Sequence, residues 1–147
     1  MNSCLVRSVL ILVVVSASAC AKKILIPSDI IKEDSAVRLK QVIQTGGDVD
    51  ARDTAGWTPL MHAARHNSIE TARILIAGGA DVNSRDNKGR TVLMYAAWSF
   101  AHDVARLLLE NGADVNGCSS YGSTAIVWAR DKNDMKMIRL LEEFGAR

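Results

Sequence analysis

Two histidines, His62 and His66, stand four residues apart in a stretch of helical periodicity. That spacing places both imidazoles on one face of a helix, as in paired zinc ligands. A zinc protease of this kind needs an acidic residue between the two histidines, and the sequence has neither that residue nor an evident third ligand nearby. We therefore interpret the pair as packed or surface side chains, and we expect no metal ion and no cofactor.

A nucleophilic site has equally little support. Catalytic triads are recognised by geometry rather than by chain order, so Cys118 alone neither indicates nor excludes one. The sequence contains no G-x-S-x-G elbow and no glycine-rich phosphate loop. Its glycine pairs, Gly46-Gly47 and Gly78-Gly79, follow helical segments and are typical of helix ends. The sequence therefore predicts a protein that is not an enzyme.

Charge and length narrow the class further. The chain has 147 residues, with 18 Lys and Arg against 16 Asp and Glu. This length suits one domain or a short row of repeats that share one core. The near balance of charges gives no electrostatic argument for nucleic acid, so we expect none as a partner.

The N-terminal segment is typical of a secretory signal. Arg7 precedes an apolar run over residues 9–15, and small residues follow up to Ala19. The apolar run is too short to cross a membrane as a helix. The sequence therefore predicts export, with residues 1–19 removed.

Cys20 follows directly, and residues 17–20, ASAC, resemble the lipobox of bacterial lipoproteins, although Ala17 stands where that family prefers leucine. The resemblance implies a lipid anchor at Cys20 in the outer membrane, and contact with the membrane only through that anchor. Plain cleavage instead gives a soluble periplasmic protein. Without the lipid, Cys118 is either alone or paired with Cys20.

One stretch recurs through the rest of the chain at a period of 33 residues. The period relates Gly56, Gly89 and Gly122; Thr58, Thr91 and Thr124; and Gly79, Gly112 and Gly145. A unit of that length with a turn and two helices buries its apolar faces only by stacking on its neighbours. We expect an all-α solenoid of helix-turn-helix units with short β-turn fingers.

Each unit carries its own helix signals, and these are most complete in residues 53–85. Thr58 can cap a first helix that has Pro59 at its first position, and Asn67 can end that helix in the left-handed conformation. A second helix over residues 68–77 has apolar residues at helical spacing before it stops at a glycine pair.

Residues 56–64 (G-x-T-P-L-x-x-A-A) and 75–83 (L-I-x-x-G-A-D-V-N) resemble the ankyrin repeat. Residues 89–97 and 108–116 repeat most of that pattern. The resemblance covers the chain from about residue 28 onward. It implies a stack that binds another protein.

The sequence departs from the family pattern at several positions. The family's frequent histidine is replaced by Met61, Met94 and Val127, so the hydrogen bond that braces the turn is expected to be absent. Phe100 replaces a usual glycine, and Val92 and Ala125 replace proline. We expect some looseness in the second and third repeats.

The register also predicts the division of the chain. A degenerate first unit, with helices over 28–33 and 35–45, and a last unit with Glu142 and Glu143 in its second helix are expected to cap the stack. The segments are a signal peptide 1–19, a tether 20–27, an N-terminal cap repeat 28–52, ankyrin repeats 53–85 and 86–118, and a C-terminal cap repeat 119–147.

The resemblance further implies where the partner binds. In ankyrin stacks the residues beside the turn glycine and late in the first helix vary, and they face the partner on the concave side. The residues assigned here to partner binding are Trp57, Arg65, His66, Lys88, Arg90, Trp98, Tyr121 and Asp131. Trp, Tyr and Arg dominate binding energies, so the expected anchors are Trp57, Arg90, Trp98 and Tyr121. His62, Tyr95 and Trp128 share another position, where we favour packing between repeats.

The expected function is that of a non-enzymatic protein-binding module of the bacterial envelope, with one specific protein partner of unknown identity. By analogy its role is that of an immunity or accessory protein for a toxin or lipase. The alternatives are a helper of a periplasmic oxidative-stress enzyme such as a catalase, and a structural envelope tether. After a binding module and a structural tether, the third class of function is an enzyme with an unrecognised site.

Overall fold

The computed structural model describes residues 24–25 and 36–147, and the regular secondary structure in this part of the chain is almost entirely helical. Its elements are β1 Ile24–Leu25, α1 Ala36–Gln44, β2 Gly47–Asp48, α2 Pro59–Arg65, α3 Ile69–Ala77, α4 Val92–Trp98, α5 His102–Glu110, α6 Ala125–Asp131 and α7 Met135–Glu143. The two short strands pair in parallel. The predicted all-α class is confirmed.

Several predicted features lie outside the described residues. These are the signal segment 1–19, Cys20 and the helix expected over 28–33. None of the helices in the described part of the chain has the length and apolar character that a membrane span requires.

The helices form two layers. Helices α2, α4 and α6 pack side by side in an inner layer, and α1, α3, α5 and α7 form an outer layer. Three turns over residues 53–57, 86–90 and 119–123, here named the fingers, precede the inner helices, and each is closed by a backbone hydrogen bond between its first and last residues. One repeated unit is therefore a finger, an inner helix and an outer helix.

Small side chains let the inner helices approach one another closely. The alanines of this layer are at most 1% exposed: Ala63, Ala64, Ala96, Ala97, Ala125 and Ala129. The outer helices supply a larger buried side chain at one equivalent position, occupied by Leu75, Leu108 and Leu141. Burial of each leucine stabilises the fold by roughly 1.5–3 kcal/mol, so most of the stability comes from contacts within and between units.

The inner helices differ in how their first turns are capped. In α2, Thr58 accepts a hydrogen bond from the amide three residues later at 3.4 Å, and Pro59 occupies the first position as predicted. Thr91 caps α4 in the same way at 3.4 Å, although Val92 replaces the proline. In α6, Thr124 makes no such bond, and among the described residues its hydroxyl is the buried side-chain group without a hydrogen-bond partner.

A pair of hydrogen bonds that recurs every 33 residues joins neighbouring units. Asn83 accepts a bond from the Asp114 amide at 2.7 Å and donates one to the Gly112 carbonyl at 3.1 Å. Asn116 makes the same pair of bonds one unit later, at 3.1 and 3.3 Å. Since each such bond contributes about 1 kcal/mol, they set the register of the stack more than its stability.

The link between inner and outer helix needs a left-handed residue in each unit. Asn67, Phe100 and Asn133 occupy this position with φ angles of 54°, 57° and 54°. Asparagine tolerates this conformation, whereas other side chains lose roughly 1–2 kcal/mol in it. The Phe100 side chain is 48% exposed, so its burial offsets little of that cost.

Replacing Phe100 by asparagine, the residue that the other two units use, is expected to stabilise the fold by about 1 kcal/mol because it relieves this backbone strain. Urea unfolding monitored by circular dichroism measures the change. The matched variant Phe100→Ala removes the ring but keeps a β-carbon, so it should bring no gain. A lower midpoint for Phe100→Asn than for the parent would show that the strain argument is wrong.

Candidate functional site

An open pocket of about 430 Å³ lies where the fingers meet the inner helices. Its walls are four aromatic and two arginine side chains, Trp57, Arg65, Arg90, Tyr95, Trp98 and Trp128. The chain has three tryptophans, and all three line this one pocket. Only 5% of the residues are aromatic, so this part of the surface concentrates most of that small number.

The aromatic rings form a continuous row across three units. The ring centroids of Trp57 and Tyr95 are 4.3 Å apart, and those of Tyr95 and Trp128 are 6.2 Å apart. Trp128 then meets Trp98 at 5.7 Å. The last two contacts are edge-on, a geometry that aromatic pairs favour. The pocket wall is therefore one packed surface rather than a set of separate side chains.

Asp86, at the base of the second finger, fixes two residues of this wall. Its carboxylate accepts hydrogen bonds from the Tyr95 hydroxyl and from Arg90 Nε, each at 2.7 Å, and Arg90 Nη2 lies 2.6 Å away. It also accepts the amides of Lys88 at 2.8 Å and Arg90 at 2.9 Å. Asp86 thus ties the finger to both Tyr95 and Arg90.

Burial and hydrogen bonding both shift the pKa values of Asp86 and Tyr95. Burial raises the pKa of Asp86, but the bonds from Arg90, Tyr95 and the finger amides outweigh it, so the pKa lies below its usual value. For Tyr95, burial and the bond to Asp86 both raise the pKa of the hydroxyl. Asp86 is therefore ionised and Tyr95 protonated at neutral pH.

In the first unit, an aspartate and a histidine hold the finger in the same way. Asp53 accepts the amides of Ala55 and Trp57, each at 2.9 Å, and lies 3.1 Å from His62 Nε2. Burial raises the pKa of Asp53, but the hydrogen bonds from Trp57 and His62 lower it by more, so the pKa lies below its usual value. Met61 is fully buried, and the neighbouring His62 braces the finger in its place.

The third unit lacks the aspartate that holds the finger in the other two units. Ser119 stands where the other units have aspartate, and its hydroxyl accepts the amides of Tyr121 and Ser123 at 3.3 Å each. Trp128 occupies the position of His62 and Tyr95, and it is half-buried at the pocket wall.

Besides Arg90, two cations lie at the pocket: Arg65 in its wall and Lys132 beside Trp98. Lys132 Nζ lies 3.4 Å from the centroid of the Trp98 ring, a cation–π contact. Arg65 Nη1 lies 3.5 Å from Ser99 Oγ, at the long limit of a hydrogen bond. Neither cation pairs with a carboxylate in the described part of the chain. The rim of the pocket is therefore basic.

The structure brings together half of the residues predicted to bind a partner. The four that line the pocket are Trp57, Arg65, Arg90 and Trp98. The other four, His66, Lys88, Tyr121 and Asp131, are exposed outside its walls. Arg90 was expected as a free anchor, but it is held by Asp86. Their role in binding stays a prediction.

Two pocket residues were predicted to pack between repeats. Tyr95 is 3% exposed and does pack in the aromatic row, yet it also forms part of the pocket wall, as does Trp128. The 33-residue spacing relates Tyr95 to Trp128, and Trp98 follows Tyr95 by three residues on the same helix. Sequence reasoning treated packing and binding as alternatives, whereas here the same side chains do both.

The remaining candidates for chemistry are histidine and cysteine side chains. Within residues 24–25 and 36–147, no three His, Cys, Asp or Glu side chains are grouped to hold a metal ion. His102 Nε2 lies 2.8 Å from Asp134, which also accepts the Met137 amide at the start of α7. Cys118 is an exposed free thiol, and its predicted pairing with Cys20 involves a residue outside the described part.

Replacing Asp86 by asparagine is expected to destabilise the fold by about 2 kcal/mol at neutral pH, because hydrogen bonds to a charged group are lost. The pKa of Asp86 is lowered in the folded chain. Its contribution is therefore complete above about pH 4 and is lost as pH falls through the folded pKa. Urea unfolding at about pH 7, 5 and 3 should show a weaker pH dependence in the variant than in the parent.

The matched control is Asp131→Asn, which removes an exposed carboxylate and should change neither the stability nor its pH dependence. Equal loss of stability with acid in the parent and in Asp86→Asn would exclude Asp86 as a source of the acid sensitivity.

Comparison with protein families matches residues 30–117 to a model of ankyrin repeats, in three copies. No curated protein matches the chain. Helices α6 and α7 lie beyond the matched residues and form the same helix pair as the preceding units. Ankyrin repeats generally serve as protein–protein interaction modules, and the family is typically not enzymatic. With more than half of its length matched, the chain belongs to the ankyrin-repeat family.

Proposed function

We propose that this chain is a non-enzymatic module that binds one specific protein through its fingers and inner helices. The observation that supports the proposal is the pocket lined by Trp57, Arg65, Arg90, Tyr95, Trp98 and Trp128. A structural tether that only spaces other components has no use for such a surface, and the family's general role in protein binding agrees with the proposal.

The side chains of the pocket are those that contribute most to binding. Trp, Tyr and Arg account for most strong contacts at protein interfaces, where a few anchors supply about 2 kcal/mol or more each. Trp98 is 41% exposed, so a partner that covers it removes much apolar surface from water. Tyr95 is already held by Asp86 at 2.7 Å, and a wall formed before binding reduces the entropy cost of association.

We place this function in the bacterial envelope. The support is the order of Arg7, the apolar run 9–15 and Cys20 in the sequence. In that compartment the module holds, inhibits or assists one exported partner, as an immunity or accessory protein does for a toxin or lipase.

The mass of the mature N-terminal peptide tests this location. A lipid-modified Cys20 supports the anchored form, and an unmodified first residue at Cys20 or Lys22 supports the soluble form. A mature chain that still begins at Met1 contradicts export.

Partner binding is tested with a single truncation in the pocket. The full chain, immobilised, retains the partner from envelope extract, and the isolated partner is then titrated against each variant by calorimetry. Trp98→Ala is expected to weaken binding by about 30-fold, because about 2 kcal/mol of contact energy is lost.

The matched control is Met135→Ala, since Met135 is an apolar side chain, 63% exposed, on the outer helix α7. This variant should bind as the parent does, and circular dichroism should show both variants folded. Equal affinity of Trp98→Ala and the parent would place the binding surface elsewhere.

A further inference from the structure

The charges around the pocket are unevenly compensated. Arg90 is neutralised by Asp86, with Nη2 and Oδ2 2.6 Å apart. Arg65 and Lys132 have no carboxylate partner in the described part of the chain. Asp131 is exposed at the end of α6 and pairs with neither of them. The rim therefore carries two positive charges that a partner can neutralise.

A cationic ligand does not suit this aromatic surface. Aromatic rings attract cations through their faces, but Lys132 already lies 3.4 Å from the centroid of Trp98. The Arg90 guanidinium likewise lies 5.2 Å from the centroid of Tyr95. A cationic side chain of a partner would be repelled by Lys132 and by Arg65, neither of which pairs with a carboxylate in the described part of the chain. An anion is attracted by both.

The size of the pocket limits what enters it. A volume of about 430 Å³ lies in the lower part of the range of about 300–1,000 Å³ that small-ligand sites occupy. It has room for one or two side chains of an extended segment rather than for a helix or a domain. Its wall of Trp57, Trp98 and Trp128 offers apolar contact beside the two free cations.

We infer that the partner inserts an acidic segment, with Asp or Glu carboxylates against Arg65 and Lys132 and a neighbouring aromatic or large apolar side chain against the tryptophans. The inference rests on the proposed function and specifies the chemistry of the partner at the same site. A nucleic acid strand would also combine negative charge with stacking, but the chain has a net charge of only +2. A protein segment is therefore the favoured occupant.

A library of random octapeptides on beads, screened with the full chain, tests the chemistry without knowledge of the partner. Enriched peptides should contain Asp or Glu next to Phe, Tyr, Trp or Leu. Each enriched peptide is then titrated while tryptophan fluorescence is recorded, and every tryptophan of the chain reports on the pocket. The same peptides with Asn and Gln in place of the acids should bind about tenfold more weakly.

The double variant Arg65→Gln with Lys132→Gln should bind the enriched acidic peptides about tenfold more weakly than the parent, and added salt should no longer reduce its binding. The matched control is Arg73→Gln, a single cation on the outer helix α3, which should behave as the parent does. Enrichment of neutral or basic peptides, or unchanged affinity of the double variant, would overturn the inference. Tighter binding of oligothymidylate than of the peptides would overturn it in favour of nucleic acid.

The outcome also separates this inference from the proposed function. If Trp98→Ala loses the natural partner while the double variant retains it at full affinity, the pocket binds a protein but not through an acidic segment. If Trp98→Ala retains the partner, the proposed function itself fails.

Discussion

Each two-helix unit has apolar surface on both sides of its inner helix, and only another unit can cover it. The alanines of α2, α4 and α6 make that cover close enough to exclude water. The pocket depends on the same packing, since its wall takes Trp57 from the first finger, Tyr95 and Trp98 from α4, and Trp128 from α6. The stability of the stack and the shape of the pocket therefore depend on the same contacts between units.

Most of this architecture follows from local chemistry that the sequence displays. Thr58 and Pro59 determine where α2 begins, and Asn67 ends it, because caps, prolines and left-handed residues act on the backbone within a few positions. The 33-residue period then converts distance along the chain into contact between neighbouring units. For this reason Trp57, Arg65, Arg90 and Trp98, which belong to two different units, line one pocket.

The hydrogen bonds of Asp86 with Tyr95 and Arg90 were not predicted from the sequence. Tyr95 lies nine residues after Asp86, a spacing that belongs neither to a helix turn nor to the repeat period, and the contact requires the finger to fold back over α4. Asp53 and His62 form the same arrangement in the first unit. Arg90 was consequently expected as an exposed anchor, although its guanidinium pairs with Asp86 within the fold. Which cations remain free to meet a partner can be decided only from the packed structure.

Thr124 leaves a buried hydroxyl without a partner among the described residues at the start of α6, where α2 and α4 have a bonded cap. Such a group costs about 1–3 kcal/mol, and local opening occurs where the free energy of structure is lowest. We therefore expect amide exchange through partial opening to begin in the unit that carries Trp128, whereas Tyr95 is hydrogen-bonded to Asp86. Two neighbouring rings of the aromatic row are therefore held differently, Tyr95 by a hydrogen bond to a carboxylate and Trp128 by edge-on ring contacts.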